Sequence, residues 1–311
     1  MDRRLNLIIF HQPKAQKVSD FETIRDIIAT QAPDIEVHII TPQNLNSNLF
    51  WRHAAEHPTL IFSPTGVQFA DHMRGTKLIN QPTTKEREAR MVHKAGYPVP
   101  QTARLVPDLV LDEKRWGPFA VVKPNIGSNG RGVRLRRTRH VRWADPMSWP
   151  EEDYRRGKQL IVQQYVHSGD NVNCYRVLAV LGEVIYSIHT SLRTPLVLPD
   201  PRGTDDVDQP IAANTGDREV KLNYDEEVLA FAQGLARKLP MIPVMPIDVV
   251  RHRDSGQLFV MEINSHGWSW HLSSPFGEKQ QATYGLDYYR QFNGLEKIAK
   301  ALIEKTRQLA S

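Results

Sequence analysis

The chain has 311 residues, 40 of them basic and 35 acidic, which leaves a net charge of +5. With 40% hydrophobic and 24% charged residues, it reads as a soluble globular protein long enough for two or three small domains. No apolar run approaches the roughly 20 residues of a membrane span, and the lone Cys174 excludes an internal disulfide and a cysteine-based metal cluster.

The chain starts MDRRLNLIIFHQP. Its apolar run is too short for a secretory leader and reads better as a first strand. With the cysteine count, this sets a cytoplasmic protein without a membrane partner as the expectation. LNLIIF (5–10), EVHIITP (36–42) and TLIFSP (59–64) predict buried strands. Phe21, Ile24, Ile27 and Ile28 mark an amphipathic helix between the first two. Strand, helix, strand suggests a small parallel α/β unit, and the missing GxGxxG argues against a dinucleotide site in it.

From about residue 80, TTKEREARMVHKAGYPVP predicts a helix capped by Thr83 or Thr84 and stopped at Gly96, with Pro98 and Pro100 forbidding continuation. PFAVVKP predicts a strand that carries Lys123, and VRLRR a strand with one wet face. Gly127, Ser128, Asn129, Gly130 and Gly132 form the tip joining them. Bare backbone N–H groups beside a lysine can cradle phosphate oxygens; the alternative is a mobile turn whose glycines serve only the chain reversal. The tip does not match GxxxxGK[ST], and its lysine precedes the glycines, so neither a P-loop nor a kinase arrangement is present. The basic run RGVRLRRTRHVRW, 131–143, is read as either a polyanion site or a solvated strand face. Without a helix-turn-helix, zinc finger or aromatic RNA-binding signature, no nucleic-acid partner is expected.

LIVQQYV opens the third segment, and CYRVLAVLGEVIYSIHTSL predicts a hairpin turning at Gly182. The proline-rich stretch 193–217 reads as one long loop. YDEEVLAFAQGLARKL and residues 293–309 predict helices. Between them lies MPIDVVRHRDSGQLFVMEIN, a hairpin about Asp254-Ser255-Gly256. Symmetry about Ser255 sets Asp248 opposite Glu262, with Asn264 on the same face. Opposed carboxylates in apolar strands are destabilising unless something neutralises them. Either a hard divalent cation, for which Asp, Glu and Asn are suitable donors, or an arginine such as Arg176 or Arg193 would do so. One residue of slip in the turn would send the two carboxylates to opposite faces.

The order of these parts over residues 80–268 resembles the ATP-grasp superfamily, and more weakly its branch of ribosomal-protein glutamate ligases and glutathione synthetases. The segment around Lys85 resembles the family's lysine-led helix, FAVVKPNIGSNGRGV its second lysine and phosphate-covering loop, and LIVQQYV its adenine hinge. IAANTGD places Asn214 at a family asparagine, and MPIDVV with VMEIN matches the metal-binding strands. The chain departs from that branch after Asn264, where SHGWSWHLSSPFG replaces a proline-glycine turn. Trp268 and Trp270 there would either line an acceptor pocket or pack the core, and His266 and His271 read as structural or solvent-facing.

The resemblance implies an α/β ATP-grasp fold: an N-terminal parallel α/β domain (1–80), a central lid domain (81–165) and a C-terminal antiparallel-sheet domain (166–311), with ATP between the last two. It implies ATP contacts from Lys85, Lys123, the glycine tip, Gln163, Gln164, Tyr165, Val166 and Asn214. Magnesium or manganese would sit on Asp248, Glu262 and Asn264, and Arg193 and Arg176 would serve the reacting acid. The activity implied is ADP-forming amide or peptide ligation through an acylphosphate, on small-molecule carboxylate and amine substrates such as an amino acid or peptide. A catalytically silent ATP-binding module and a carboxylate kinase are the alternatives. Relatives often form homo-oligomers, dimers or tetramers.

Overall fold

The computed structural model describes residues 4–41, 56–67, 74–213, 216–265 and 269–311. Asn214, His266 and Trp268 lie outside the described residues. Three sheets organise the rest. The first is parallel, with β1 (Leu5–Phe10), β2 (Ile35–Ile40), β3 (Thr59–Ser63) and β4 (Thr76–Ile79) in the order β2-β1-β3-β4. Helix α1 (Val18–Gln31) makes the crossover between β1 and β2 and buries Phe21, Ile24 and Ile28. The expected strand–helix–strand unit is present, and β4 adds a fourth strand that was too short and half-exposed to read.

Helix α2 (Lys85–Lys94) begins where Thr84 accepts a hydrogen bond from Arg87 N, and the chain turns at Gly96 with φ of +83°. Then follow β5 (Thr102–Arg104), α3 (Glu113–Trp116), β6 (Phe119–Pro124), β7 (Arg134–Arg137) and β8 (Leu160–Gln164). These strands make the second sheet, ordered β11-β7-β6-β8-β5, in which β11 is the later segment Asp208–Pro210.

That strand corrects the reading of 193–217 as one long loop. Asp208–Pro210 pairs antiparallel with Arg134–Arg136, and Val207 and Ile211 bury against Phe119, Val121 and Leu135. Three residues with a proline carry no readable period; the pairing is decided by two apolar anchors. The same segment answers the basic run. Asp208 pairs with Arg134 and Arg136, Asp206 with Arg136, and Asp205 with Arg137. Strand β7 also departs from a simple wet face. Arg137 is buried, held by Asp205 and the carbonyls of Asp200 and Asp205.

The third sheet is antiparallel, ordered β12-β10-β9-β13-β14, from β9 (Asn173–Val180), β10 (Glu183–Leu192), β12 (Arg218–Leu222), β13 (Val244–Arg251) and β14 (Leu258–Ile263). Helix α4 (Glu226–Lys238), capped by Asp225, covers one side. Beyond β14 come α5 (Pro275–Tyr284), α6 (Tyr288–Gln291) and α7 (Gly294–Leu309). The apolar face of α7 joins the first and third sheets in one core, where Leu7, Phe21 and Leu60 share a cluster with Leu178, Ile185 and Leu302. Asn80 reinforces that junction: fully buried, its amide donates to Val244 O and accepts from Val244 N, as a strand residue would.

Candidate active site

Strand β6 and helix α2 bring two lysines to one place. Lys123 is buried, and its Nζ donates to Gln163 Oε1 at 2.8 Å. Burial pulls its ammonium below its ordinary range, with the Glu262 carboxylate opposing. Lys85 stands at the start of α2. Its Nζ donates to Glu262 Oε1 at 2.5 Å and to the Gly127 carbonyl at 2.9 Å, so one ammonium ties the third sheet to the glycine tip. Within the tip, Asn129, Gly130 and Gly132 have φ of +60°, +66° and +71°. Left-handed backbone in succession is what glycine density permits. A side chain at Gly132 would also press on Pro124 and Arg155 at 3.2 Å.

The opposite wall is the β13–β14 hairpin. Asp248 faces Glu262 as expected, though not through a symmetric turn. Nearer the turn, Arg251 pairs with Leu258 and Val249 with Val260, a register that would leave the carboxylates out of step. A β-bulge between Asp248 and Val249 absorbs the extra residue and restores their opposition. Its signature is that Met261 and Glu262, consecutive in sequence, both face the cleft, which a regular strand forbids.

Both carboxylates already have partners. Arg176 Nε and NH2 donate to Asp248 at 2.7 and 2.8 Å, and Asn264 Nδ2 donates to Asp248 Oδ2 at 3.1 Å. Burial alone would depress the Arg176 guanidinium, but the Asp248 charge and hydrogen bonds outweigh it and hold it above its ordinary value. Among the described residues no cluster of three or more His, Cys, Asp and Glu side chains could hold a metal. The candidate set is therefore two carboxylates and an amide. As hard oxygen donors on adjacent strands they suit magnesium, provided Lys85 and Arg176 yield part of their hold.

Two connected compartments result. The first is lined by Lys123, Gln163, Tyr165, Val166, Asp248 and Glu262, among others. Burial pushes the Tyr165 phenol up to about 12. Gln164, the end of β8, does not line either compartment. The second lies beyond the glycine tip, against Ser128, Asn129 and Asn264, and Arg176 and Phe276 line both. Arg193 is not brought to the cleft wall; 64% exposed, it pairs with Asp217 at 3.6 Å. Arg218, which pairs with Leu192 across the sheet, lines the first compartment instead. Cys174 also lines it, where burial of its sulfur and the charge of Asp248 keep the thiol protonated.

Several residues escaped the sequence reading. Glu88, one turn into α2, is buried; desolvation and the nearby Glu262 drive its carboxyl well above the carboxylate range. The available signal was its position three residues after Lys85, on the same helix face. Asp20 of α1 is buried and accepts from Trp270 Nε1 at 2.7 Å, Ser273 Oγ at 2.6 Å and Tyr289 OH at 3.0 Å. Trp270 thus packs the core and does not line an acceptor pocket. His271 is structural, its Nδ1 2.8 Å from Tyr186 OH. Burial, and then the Arg176 charge, lower it to about 3.

Neither a family model nor a curated protein matches this sequence. Solved structures match it throughout. The ATP-grasp ligase PsnB, complexed with a minimal precursor, Mg and ADP, aligns over 97% of each chain with a TM-score of 0.55 and 14% identity. The fold is that of an ATP-grasp ligase. PsnB complexed with its precursor peptide PsnA2 and AMPPNP aligns over 97% of this chain and 98% of that one, with a TM-score of 0.52 and 15% identity. The D-cycloserine synthetase DcsG aligns over 97% of this chain and 99% of that one, with a TM-score of 0.50 and 17% identity. The glycine tip joins β6 and β7 of the second sheet, and no helix among the described residues is long and apolar enough to cross a membrane.

Proposed function

We propose that this chain is an ATP- and magnesium-dependent carboxylate–amine ligase that forms an amide or peptide bond and releases ADP and phosphate. The observation that carries this reading is one cleft, in an ATP-grasp fold, holding Lys85, Lys123 and the glycine tip on one side and Asp248, Glu262 and Asn264 on the other. Nucleotide and Mg bound to PsnB and AMPPNP in its peptide complex support ATP as the phosphoryl donor, and the precursor peptide supports a peptide among the substrates.

In this mechanism a carboxylate oxygen of the acid attacks the γ-phosphorus, and the bond to ADP breaks. The amine then attacks the acyl carbon of the acylphosphate, phosphate leaves, and the nitrogen loses a proton. The chain's part is positioning and charge. Lys123, lowered by burial, regains favourable charge when a phosphate arrives beside it. Lys85 exchanges Glu262 for phosphate. The left-handed tip folds its N–H groups over the phosphoryl group and keeps water from the acylphosphate. Asp248, Glu262 and Asn264 would hold magnesium, or manganese, which neutralises phosphate charge when bound. Arg176, at the junction of the compartments, orients the acid, while Arg193 reaches the reacting group only after lid closure moves it from Asp217.

The ion pairs that already neutralise Asp248 and Glu262 give the silent ATP-binding alternative its support. ADP release from ATP and magnesium, screened against pools of acids with and without amines, separates the readings. A ligase needs both substrates, a carboxylate kinase only the acid. The expected result is turnover that Lys123→Ala and Glu262→Ala each abolish without loss of soluble protein; full activity in either variant refutes the site.

A further inference from the structure

The compartment beyond the glycine tip carries charge that phosphate binding does not use. Among the described residues, no side chain lining it is a carboxylate. Of its cations, Arg176 is committed to Asp248, and His271 is neutral. Lys158 is different. Its ammonium lies 2.9 Å from the centre of the Tyr154 ring, and among the described residues it forms no ion pair. The neighbouring acid is unavailable to it, because Asp153 is taken by Arg155 through Nε and NH2. Arg131 approaches the same ring at 4.3 Å, so two cations meet one aromatic ring, and among the described residues neither has an ion-pair partner.

A half-buried ammonium held only by a tyrosine, through its ring and a hydrogen bond to its side chain, is poised for an anion. The phosphates have their own partners in Lys85, Lys123 and the tip's backbone, on the nucleotide side. The compartments meet at Arg176 and Phe276. An acid whose reacting carboxylate lies at that junction extends past Ser128 and Asn129 towards Lys158.

We infer that Lys158 selects an acid substrate with a second anionic group: one carboxylate reacts at Arg176, and the other pairs with Lys158 above Tyr154. The reacting end of this inference rests on the ligase reading; the anion contact does not. A neutral end group would leave Lys158 unpaired in a partly desolvated site, a difference worth about ten- to a hundredfold in affinity.

The test is calorimetric binding to the full chain, with and without AMPPNP and magnesium. The probes are the dicarboxylates from succinate to pimelate and the monoamide of each. At least one dicarboxylate is expected to bind tenfold or more tighter than its monoamide. Lys158→Met, which keeps the contact with Tyr154 but not the charge, is expected to erase the difference, and Lys158→Arg to restore part of it. AMPPNP affinity should stay within twofold, and an unchanged Tm shows that the variants are folded. Equal binding of every pair overturns the inference, as does a preference that survives Lys158→Met. Loss of AMPPNP affinity in its place would make Lys158 a phosphate ligand and also overturn it. Failure of the unaltered chain to bind AMPPNP sinks the ligase reading instead, and the series without nucleotide still decides the role of Lys158.

Discussion

Two hairpins face each other across the cleft, and they handle charge in opposite ways. In β6–β7, Arg134 and Arg136 meet Asp206 and Asp208 near the surface, where the acids are 37–66% exposed, and only Arg137 is buried. In β13–β14 the carboxylates sit among apolar strands at 16% and 19% exposure, and each takes a cation from another element. Exposed pairs are screened by water and contribute little. Buried pairs stabilise mainly in that breaking one strands a charge. The β6–β7 side thus owes little stability to its exposed pairs, while the wall that faces it depends on the cations paired with Asp248 and Glu262. Lys85 belongs to both arrangements, since it touches Glu262 and the Gly127 carbonyl.

The largest effect is expected at Asp248. Asp248→Ala leaves Arg176 unpaired and is expected to cost about 3–5 kcal/mol in urea denaturation, together with all ADP release. Joint replacement, Asp248→Leu with Arg176→Met, should recover much of that stability but none of the activity. A double variant no more stable than the single one would show that the pair is not the source. On the lid, Gly132→Val forces a β-branched residue to a φ of +71° against Pro124 and Arg155. Its local strain is on the order of 1–3 kcal/mol. Turnover should fall about ten- to a hundredfold through loss of closure, with the third sheet intact by hydrogen exchange; unchanged turnover would mean the tip need not close.

A pH titration sharpens the contrast on the buried side. His271 is depressed to about 3, below its unfolded value near 6.5. Between these two values the unfolded chain binds a proton that the folded chain refuses. Stability is thus fully present above about pH 6.5 and declines by up to about 1.4 kcal/mol per pH unit as pH falls towards 3. Replacing His271 with Gln should flatten that part of the stability curve; an unaltered slope would contradict a neutral buried imidazole. The smallest effect belongs to the lid surface. Asp206→Asn removes one exposed partner of Arg136 and should change stability by less than about 1 kcal/mol, and activity not measurably.

Local sequence carried much of this. Helix α2 was readable from Thr84 to Gly96 because capping and stop chemistry act within a few residues. The tip glycines and Lys123 were visible for the same reason. The opposition of Asp248 and Glu262 followed from strand alternation, but the register reached it by a bulge that no turn residue announces. Strand β11 was missed because its placement depends on Val207 and Ile211 finding a sheet some seventy residues back in the chain. Asp20 and Glu88 looked like ordinary helix acids, and only the packing of α1 on Trp270 and of α2 on β14 buries them.

By itself, then, the sequence determined many of the strands and helices, where the glycine tip lies and which oxygen donors share a hairpin. Periodicity, caps and turn residues are short-range properties, legible without a fold. Tertiary structure alone decided which charges are spent and which remain. Arg176 and Lys85 are committed to carboxylates that arrive from distant strands, Arg193 turns away to Asp217, and Lys158 is left on an aromatic ring. Whether a charged side chain is paired depends on what the folded chain brings within a few ångströms of it, and that distance is not written in sequence order.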